Sequence, residues 1–344
     1  MGNKPFLQVL RGEKTERVPF WLMRQAGRYL PEYRALRATK NGFMDMALDP
    51  VAATEITLQP IRRFGMDAAI IFSDILVIPY ALGQDVTFAQ GEGPRLANFS
   101  FQKLSLEHVH TRLQPVYAAL SRTHTQLAAE GFASTALIGF AGAPWTVATY
   151  MIEGGGSKDF AKVKAMAYGQ PNEFKALIAL LVEATSQYLI AQIKAGAEAV
   201  QIFDTWAGAL DPHGIQHQVI EPTRQIVASV KAAHPDVPVI GFPKGIGVHT
   251  RAYITQTGVD AIGLDPLTCT MWARDAVQPL CPVQGCLDPM RLLAGGTGLQ
   301  KAAHKILRDF SGGQHIFNLG HGVHKDTPIA HVETLTRIIR DFRP

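Results

Sequence analysis

Short apolar runs that break off at Gly, Asp or Pro recur along the chain. In order they are VPFWLMRQ (18–25), DAAIIFSD (67–74), TALIGFAGA (135–143), EAVQIFDTW (198–206), VPVIGFPKG (237–245), VDAIGLDP (259–266), CPVQGCLDP (281–289) and QHIFNLGHG (314–322). Polar and apolar residues alternate only weakly within them, the pattern of strands buried on both faces. Helical segments lie between. In residues 172–196, Phe174, Leu177, Ile178, Leu181, Tyr188, Leu189 and Ile193 follow a 3.6-residue stripe. Asn172 is the expected cap, Glu173 sits in the first turn and Gly196 closes the end. Residues 48–65 open with Asp49 as a cap and Pro50 at the first helical position, and Pro60 is expected to bend or interrupt this helix. Residues 106–131 read as another helix with a second interruption at Pro115. Eight buried strands alternating with helices predict a parallel α/β fold, most simply a (β/α)8 TIM barrel. A doubly wound open sheet is the runner-up. No linker divides the chain, so residues 1–344 are expected to form a single domain. Two long insertions, 75–134 and 143–197, are expected to carry extra helices or a lid.

Charge changes this picture little. Thirty-three Lys and Arg against 29 Asp and Glu leave a net charge of +4, with no basic run, so no nucleic-acid partner is expected. The three cysteines, Cys269, Cys281 and Cys286, are too few for a disulfide framework and fit a reducing compartment. The first 20 residues lack the apolar core of a signal peptide, and Phe6 stands where a myristoylation site needs Ser or Thr. The other apolar runs read as too short or too interrupted to span a membrane. The expectation is a cytoplasmic protein with no membrane partner.

Candidate chemistry collects where a barrel places it, at the carboxyl ends of the strands. There the sequence sets Arg24 and Arg28, Asp74, Tyr150, Asp204 and Thr205, Lys244, Asp265, Asp288 and His321. Arg24 and Arg28 stay charged at physiological pH and grip carboxylates bidentately. Gly27 and Pro31 argue against a continuous helix, so a loop can aim both guanidinium groups inward. Arg34 and Arg37 read as rim or salt-bridge residues. Asp74 closes an apolar strand, so it is either paired with an arginine or a fixed negative charge for a cationic or N–H-bearing ligand. His321 lies between glycines that permit close approach of a ligand. The segment EGGGSKDF (153–160) lacks phosphate-loop spacing and reads as a mobile lid or a turn. No CxxC or HExxH spacing occurs, the cysteines read as packed core, and no metal is expected.

The stretches WLMRQAGRYLPEYRALR (21–37), GFAGAPWTVATYMIEGGGSKDF (139–160), FDTWAG (203–208), GFPKG (241–245) and NLGHG (318–322) occur in one order along nearly the whole chain. Together they resemble the uroporphyrinogen decarboxylase family. The resemblance implies a single-domain (β/α)8 barrel, a homodimer, and no metal or organic cofactor. The implied substrate is uroporphyrinogen III, whose four acetate side chains lose CO2 to give coproporphyrinogen III. It further implies substrate contacts at Arg24, Gln25, Ala26, Gly27 and Arg28, and at Asp74, Tyr150, Thr205 and His321. Asp74, Arg24, Tyr150 and His321 are the implied catalytic set. The family often carries Ser where this chain has Thr205; threonine keeps the hydroxyl. Two rivals stay open from sequence: a zinc-dependent, corrinoid-related methyltransferase on a similar barrel, and a noncatalytic tetrapyrrole-binding protein.

Overall fold

The computed structural model describes residues 4–89 and 93–343. Its strands are β1 (Ala68–Ile70), β2 (Val86–Ala89), β3 (Gly93–Leu96), β4 (Ala136–Gly142), β5 (Ala199–Asp204), β6 (Val239–Pro243), β7 (Ala261–Leu264), β8 (Val283–Leu287) and β9 (His315–Leu319). Seven of them form one sheet in the order β1-β4-β5-β6-β7-β8-β9, every pair parallel. Strand order follows chain order, as in a singly wound barrel and unlike an open doubly wound sheet.

The eighth position is filled by residues 19–21, which make a single parallel bridge, Phe20 to Phe317, instead of the strand expected over 18–25. The Trp21 N–H donates to the Phe317 carbonyl (3.2 Å) and the Phe317 N–H to the Pro19 carbonyl (2.8 Å). On the other side, the Asp67 N–H donates to the Phe20 carbonyl (2.9 Å). The Asp67 carboxylate then takes the Phe20 N–H (2.9 Å) that a neighbouring strand would otherwise accept. Pro19 has no N–H for a longer ladder. The segment therefore joins β1 to β9 and closes the ring with very few backbone bonds.

Inside the ring lie two layers. Trp21 donates through its indole N–H to Gln284 (2.9 Å), whose amide donates to Gln201 (2.9 Å), a polar chain across the barrel. Toward the carboxyl ends, Phe203 packs edge-on against both Phe140 and Phe242, with centroids 5.5 and 5.9 Å apart. These rings fill the interior beneath the mouth with apolar surface.

The helices follow the expected pattern with instructive departures. Asp49 caps Pro50–Phe64 by accepting from the Val51 and Ala52 N–H groups. That helix runs through Pro60, and Val109–Ala129 runs through Pro115, so neither proline interrupts its helix. The long helix starts at Pro171, one residue before Asn172, and proline at the first turn needs no donor there. Pro171–Lys194 is long and apolar enough to cross a membrane, contrary to the sequence reading. Yet 56% of its most apolar window is buried inside the fold, consistent with a core-packed helix. The first insertion carries an extra helix, Val77–Leu82, as expected, and also an antiparallel hairpin, β2–β3. Cys281 and Cys286 are buried as expected, whereas Cys269 is exposed.

Candidate active site

The carboxyl ends of the strands carry the expected polar groups. Thr205, Lys244 and Asp265 directly follow β5, β6 and β7, and His321 lies two residues beyond β9. Tyr150 stands on the helix Pro144–Glu153 that follows β4. Asp74 lies four residues past the end of β1, beyond a strand shorter than its sequence suggests.

The arginine loop owes its shape to buried bonds. Gln25 is fully buried; its side chain accepts from the Leu22 N–H (3.1 Å) and donates to the Ala68 carbonyl (3.0 Å). The Tyr29 hydroxyl donates to the Gln25 carbonyl (2.7 Å). Arg34 donates to the Arg28 and Tyr29 carbonyls at 2.8 and 3.1 Å, so it clamps the loop from outside. The loop is also tied to the last strand. The Met23 N–H donates to the Asn318 side chain (2.9 Å), and the Val323 N–H to the Met23 carbonyl (2.9 Å).

Held this way, Arg24 adopts a left-handed backbone (φ 59°), a strained conformation for a side chain of this size. Its stem crosses Gly322: a Cβ there would lie 2.3 Å from Arg24 Cδ. Glycine at 322 is thus what makes room for the arginine, a contact invisible in the sequence. Ala26 and Gly27 are half-buried, and Arg28 is exposed. Arg28 lies near Tyr33, which Arg37 also faces; both cations favour its ionised form, although burial keeps its pKa raised.

Four groups form one electrostatic cluster. Asp74 is enclosed on most sides but keeps part of its surface open to the cleft. Burial raises its pKa to about 6, against the opposing pull of the Leu76 N–H (2.8 Å) and the charge of Arg24. Tyr150 is pushed up to about 12, by burial first and then by Asp74, with Arg24 opposing. His321 is lowered to about 4 by burial, with Arg24 and Lys244 adding to the effect, so the imidazole is neutral at pH 7. Arg24, Asp74, Tyr150 and His321 are therefore brought together.

Tyr150 is held from one side by Trp206, with ring centroids 4.1 Å apart, and Phe160 packs edge-on against the same indole at 5.5 Å. The segment 153–160 is thus a turn between helices Pro144–Glu153 and Ala161–Gly169 that brings Phe160 to the site. Trp206 was not singled out from sequence, although an aromatic directly after Asp204 and Thr205 was the available signal. Its backbone is anchored through Thr146. The Thr146 hydroxyl accepts from the Trp206 N–H (3.1 Å) and donates to Asp204 (2.5 Å). Asp204 is buried, its other oxygen has no hydrogen-bond partner among the described residues, and burial raises its pKa to about 7.

Two carboxylates at this end serve the backbone. Asp265 accepts from the Gly245 (2.6 Å) and Leu267 (2.8 Å) N–H groups, and Asp288 from the Met290 N–H (2.8 Å). Thr205 is half-buried beside Trp206. Among the described residues, no three His, Cys, Asp or Glu side chains gather as a metal site would require.

A closed parallel barrel with a clustered acid, phenol, imidazole and guanidinium at its carboxyl end defines an α/β-barrel enzyme architecture. Comparison with known proteins is more specific: a family model described as "Uroporphyrinogen decarboxylase (URO-D)" matches residues 1–342. Over 98% of both chains, the protein is 54% identical to a uroporphyrinogen decarboxylase of Rhizorhabdus wittichii. A Sphingopyxis alaskensis protein of the same name is 55% identical, also over 98% of both chains. A solved methyltransferase from Methanosarcina mazei shares the fold, with a TM-score of 0.82 at 16% identity over 98% of each chain. The chain belongs to the uroporphyrinogen decarboxylase family.

Proposed function

We propose that this chain, as one domain, removes CO2 from the four acetate side chains of uroporphyrinogen III and yields coproporphyrinogen III. The observation that carries the reading is Asp74, a partly desolvated carboxylate in a cationic cleft and without an ion-pair partner among the described residues. It is placed to accept hydrogen bonds from pyrrole N–H groups.

The reaction needs an electron sink. Protonating the ring carbon adjacent to the one that bears the acetate places positive charge at the ring nitrogen, in conjugation with the acetate-bearing carbon. The acetate C–C bond then breaks, CO2 leaves, and the electron pair passes into the ring. A proton added at the resulting methylene carbon completes the methyl group, and loss of the proton first placed on the ring carbon restores the pyrrole. Asp74, ionised above about pH 6, offsets the developing positive charge with a preorganised negative one. Arg24 and Arg28 bind substrate carboxylates and fix which acetate meets Asp74. Gln25, Ala26 and Gly27 hold that loop against the substrate. Tyr150 keeps its proton at neutral pH and acts as a hydrogen-bond donor, as does the Thr205 hydroxyl. His321, neutral at pH 7, offers one donor and one acceptor. In this reading Asp74, Arg24, Tyr150 and His321 contact the reacting pyrrole, and the chain's own residues suffice without a cofactor.

The test is anaerobic incubation with uroporphyrinogen III and chromatographic separation of the products. Coproporphyrinogen III with four equivalents of CO2 is expected. Recovery of unchanged substrate bound to the protein overturns the reading in favour of a noncatalytic binder.

We also propose a homodimer of cytoplasmic chains. Supporting it, Val248, Leu267, Met271 and Met290 are exposed on the segments after β6, β7 and β8, all at the mouth end. Apolar side chains collected at one end suit a self-complementary contact. Sedimentation of the pure protein tests this; a concentration-independent monomer refutes it.

A further inference from the structure

We propose that Lys244 is an additional carboxylate anchor of this site, binding a substrate side chain beside His321. The proposal rests on the decarboxylase reading for its ligand. Its geometry stands independently.

Lys244 is the first residue past β6, and its backbone is fixed to both neighbouring strand ends. Its N–H donates to the Asp204 carbonyl (3.0 Å), and its carbonyl accepts from the Gly208 N–H (2.9 Å). The next residue, Gly245, has φ 83° and donates its N–H to Asp265 (2.6 Å). A Cβ on Gly208 would lie 2.6 Å from the Gly245 carbonyl oxygen, so these two backbones touch.

The charge of this half-buried lysine has no local use. Its ammonium makes neither an ion pair nor a hydrogen bond among the described residues, and the nearby Asp265 carboxylate is occupied by backbone and by Thr268. It lies near enough to His321 to disfavour protonation of that imidazole, as Arg24 does. Two cationic side chains thus act on a neutral histidine in a partly enclosed mouth. A half-buried ammonium with no anion beside it gains a charge-assisted contact when a ligand carboxylate arrives. A ligand with eight carboxylates needs more cationic contacts than Arg24 and Arg28 supply.

Two variants and two readouts test this. Binding of uroporphyrinogen III is measured anaerobically by equilibrium dialysis, and His321 is titrated by NMR in the ligand-free protein. Lys244→Gln is expected to weaken binding by about tenfold, the scale of one charge-assisted hydrogen bond. It should also move the His321 titration upward. Lys244→Arg should restore binding to within about threefold and keep His321 low, because the charge remains. Unchanged binding by Lys244→Gln overturns the anchor. Equal loss in both variants with a lowered melting temperature also overturns it, assigning Lys244 to the scaffold. If the wild type binds substrate without releasing CO2, the decarboxylase reading fails while the anchor survives. If the wild type does not bind, both fall.

Discussion

The two ends of the barrel are built on the same strands, yet they treat charge in opposite ways. At the amino ends, carboxylates that precede strands are matched. Asp67, before β1, takes a two-pronged contact from Arg17 at 2.8 and 2.5 Å. Glu198, before β5, meets Lys4 at 2.6 Å, and Asp260, before β7, meets Lys231 at 2.7 Å. Each also accepts a backbone N–H, from Phe20, Leu137 and Val239 respectively. At the carboxyl ends, Asp74, Arg24 and Lys244 are near one another or His321 but form no ion pair among the described residues. Charges satisfied internally hold a barrel together, whereas unsatisfied ones wait for a ligand.

The contrast is broken most directly at Asp74. Asp74→Asn keeps the shape and removes the charge. Turnover, followed by product chromatography, should fall by about 100-fold or more. Gly322→Ala should come next. Its methyl displaces the Arg24 stem, and kcat/KM should fall by about tenfold, the scale of losing one good charged contact. Near-normal kinetics would show that Arg24 need not hold this conformation. At the other end, Arg17→Ala leaves the buried Asp67 without its partner. Stability in urea should fall by about 2 kcal/mol, below the usual cost for a buried pair because Arg17 is about one-third exposed. Turnover of the folded enzyme should hardly change. An equal loss of turnover in Arg17→Ala would erase the distinction between the two ends.

The smallest expected effect concerns pH. The fold raises the Asp74 pKa from 3.8 to about 6, so the native state binds this proton more tightly than the unfolded chain. Asp74 therefore costs stability as pH rises through that window. Asp74→Asn should melt about 2 °C higher than wild type at pH 7.5, with the gap vanishing near pH 4. His321 runs the other way. Its pKa falls from 6.5 to about 4, so the unfolded chain gains the proton first and stability drops as pH falls between those values. Activity of the wild type should decline below about pH 6 as Asp74 protonates.

What was legible in the sequence follows the same division. Seven of the eight apolar runs became ladder strands because burial on both faces leaves a periodicity-free signature. The first run did not, since the Asp67 carboxylate occupies the N–H that a ladder partner would take. Asp74, Tyr150, Thr205, Lys244 and His321 could be placed because barrel topology assigns strand ends to one face. The supports could not. That Gly322 makes room for Arg24, that Arg34 clamps the loop, and that Asp204 braces Trp206 through Thr146 depend on contacts between distant segments. The hairpin β2–β3 was missed because four-residue strands carry too few positions to show a period.

The closure at Phe20 and Phe317 has a consequence for biogenesis. A chain emerging from the ribosome exposes residues 19–25 long before β9 exists to receive them. Helices and the early parallel pairs can form in the meantime, since their partners are close in sequence. Arg24 meets Gly322 and His321 only after the last strand has been made. The catalytic mouth is therefore a late product of synthesis, and a chain truncated before β9 should retain much of its helical structure while holding no assembled site.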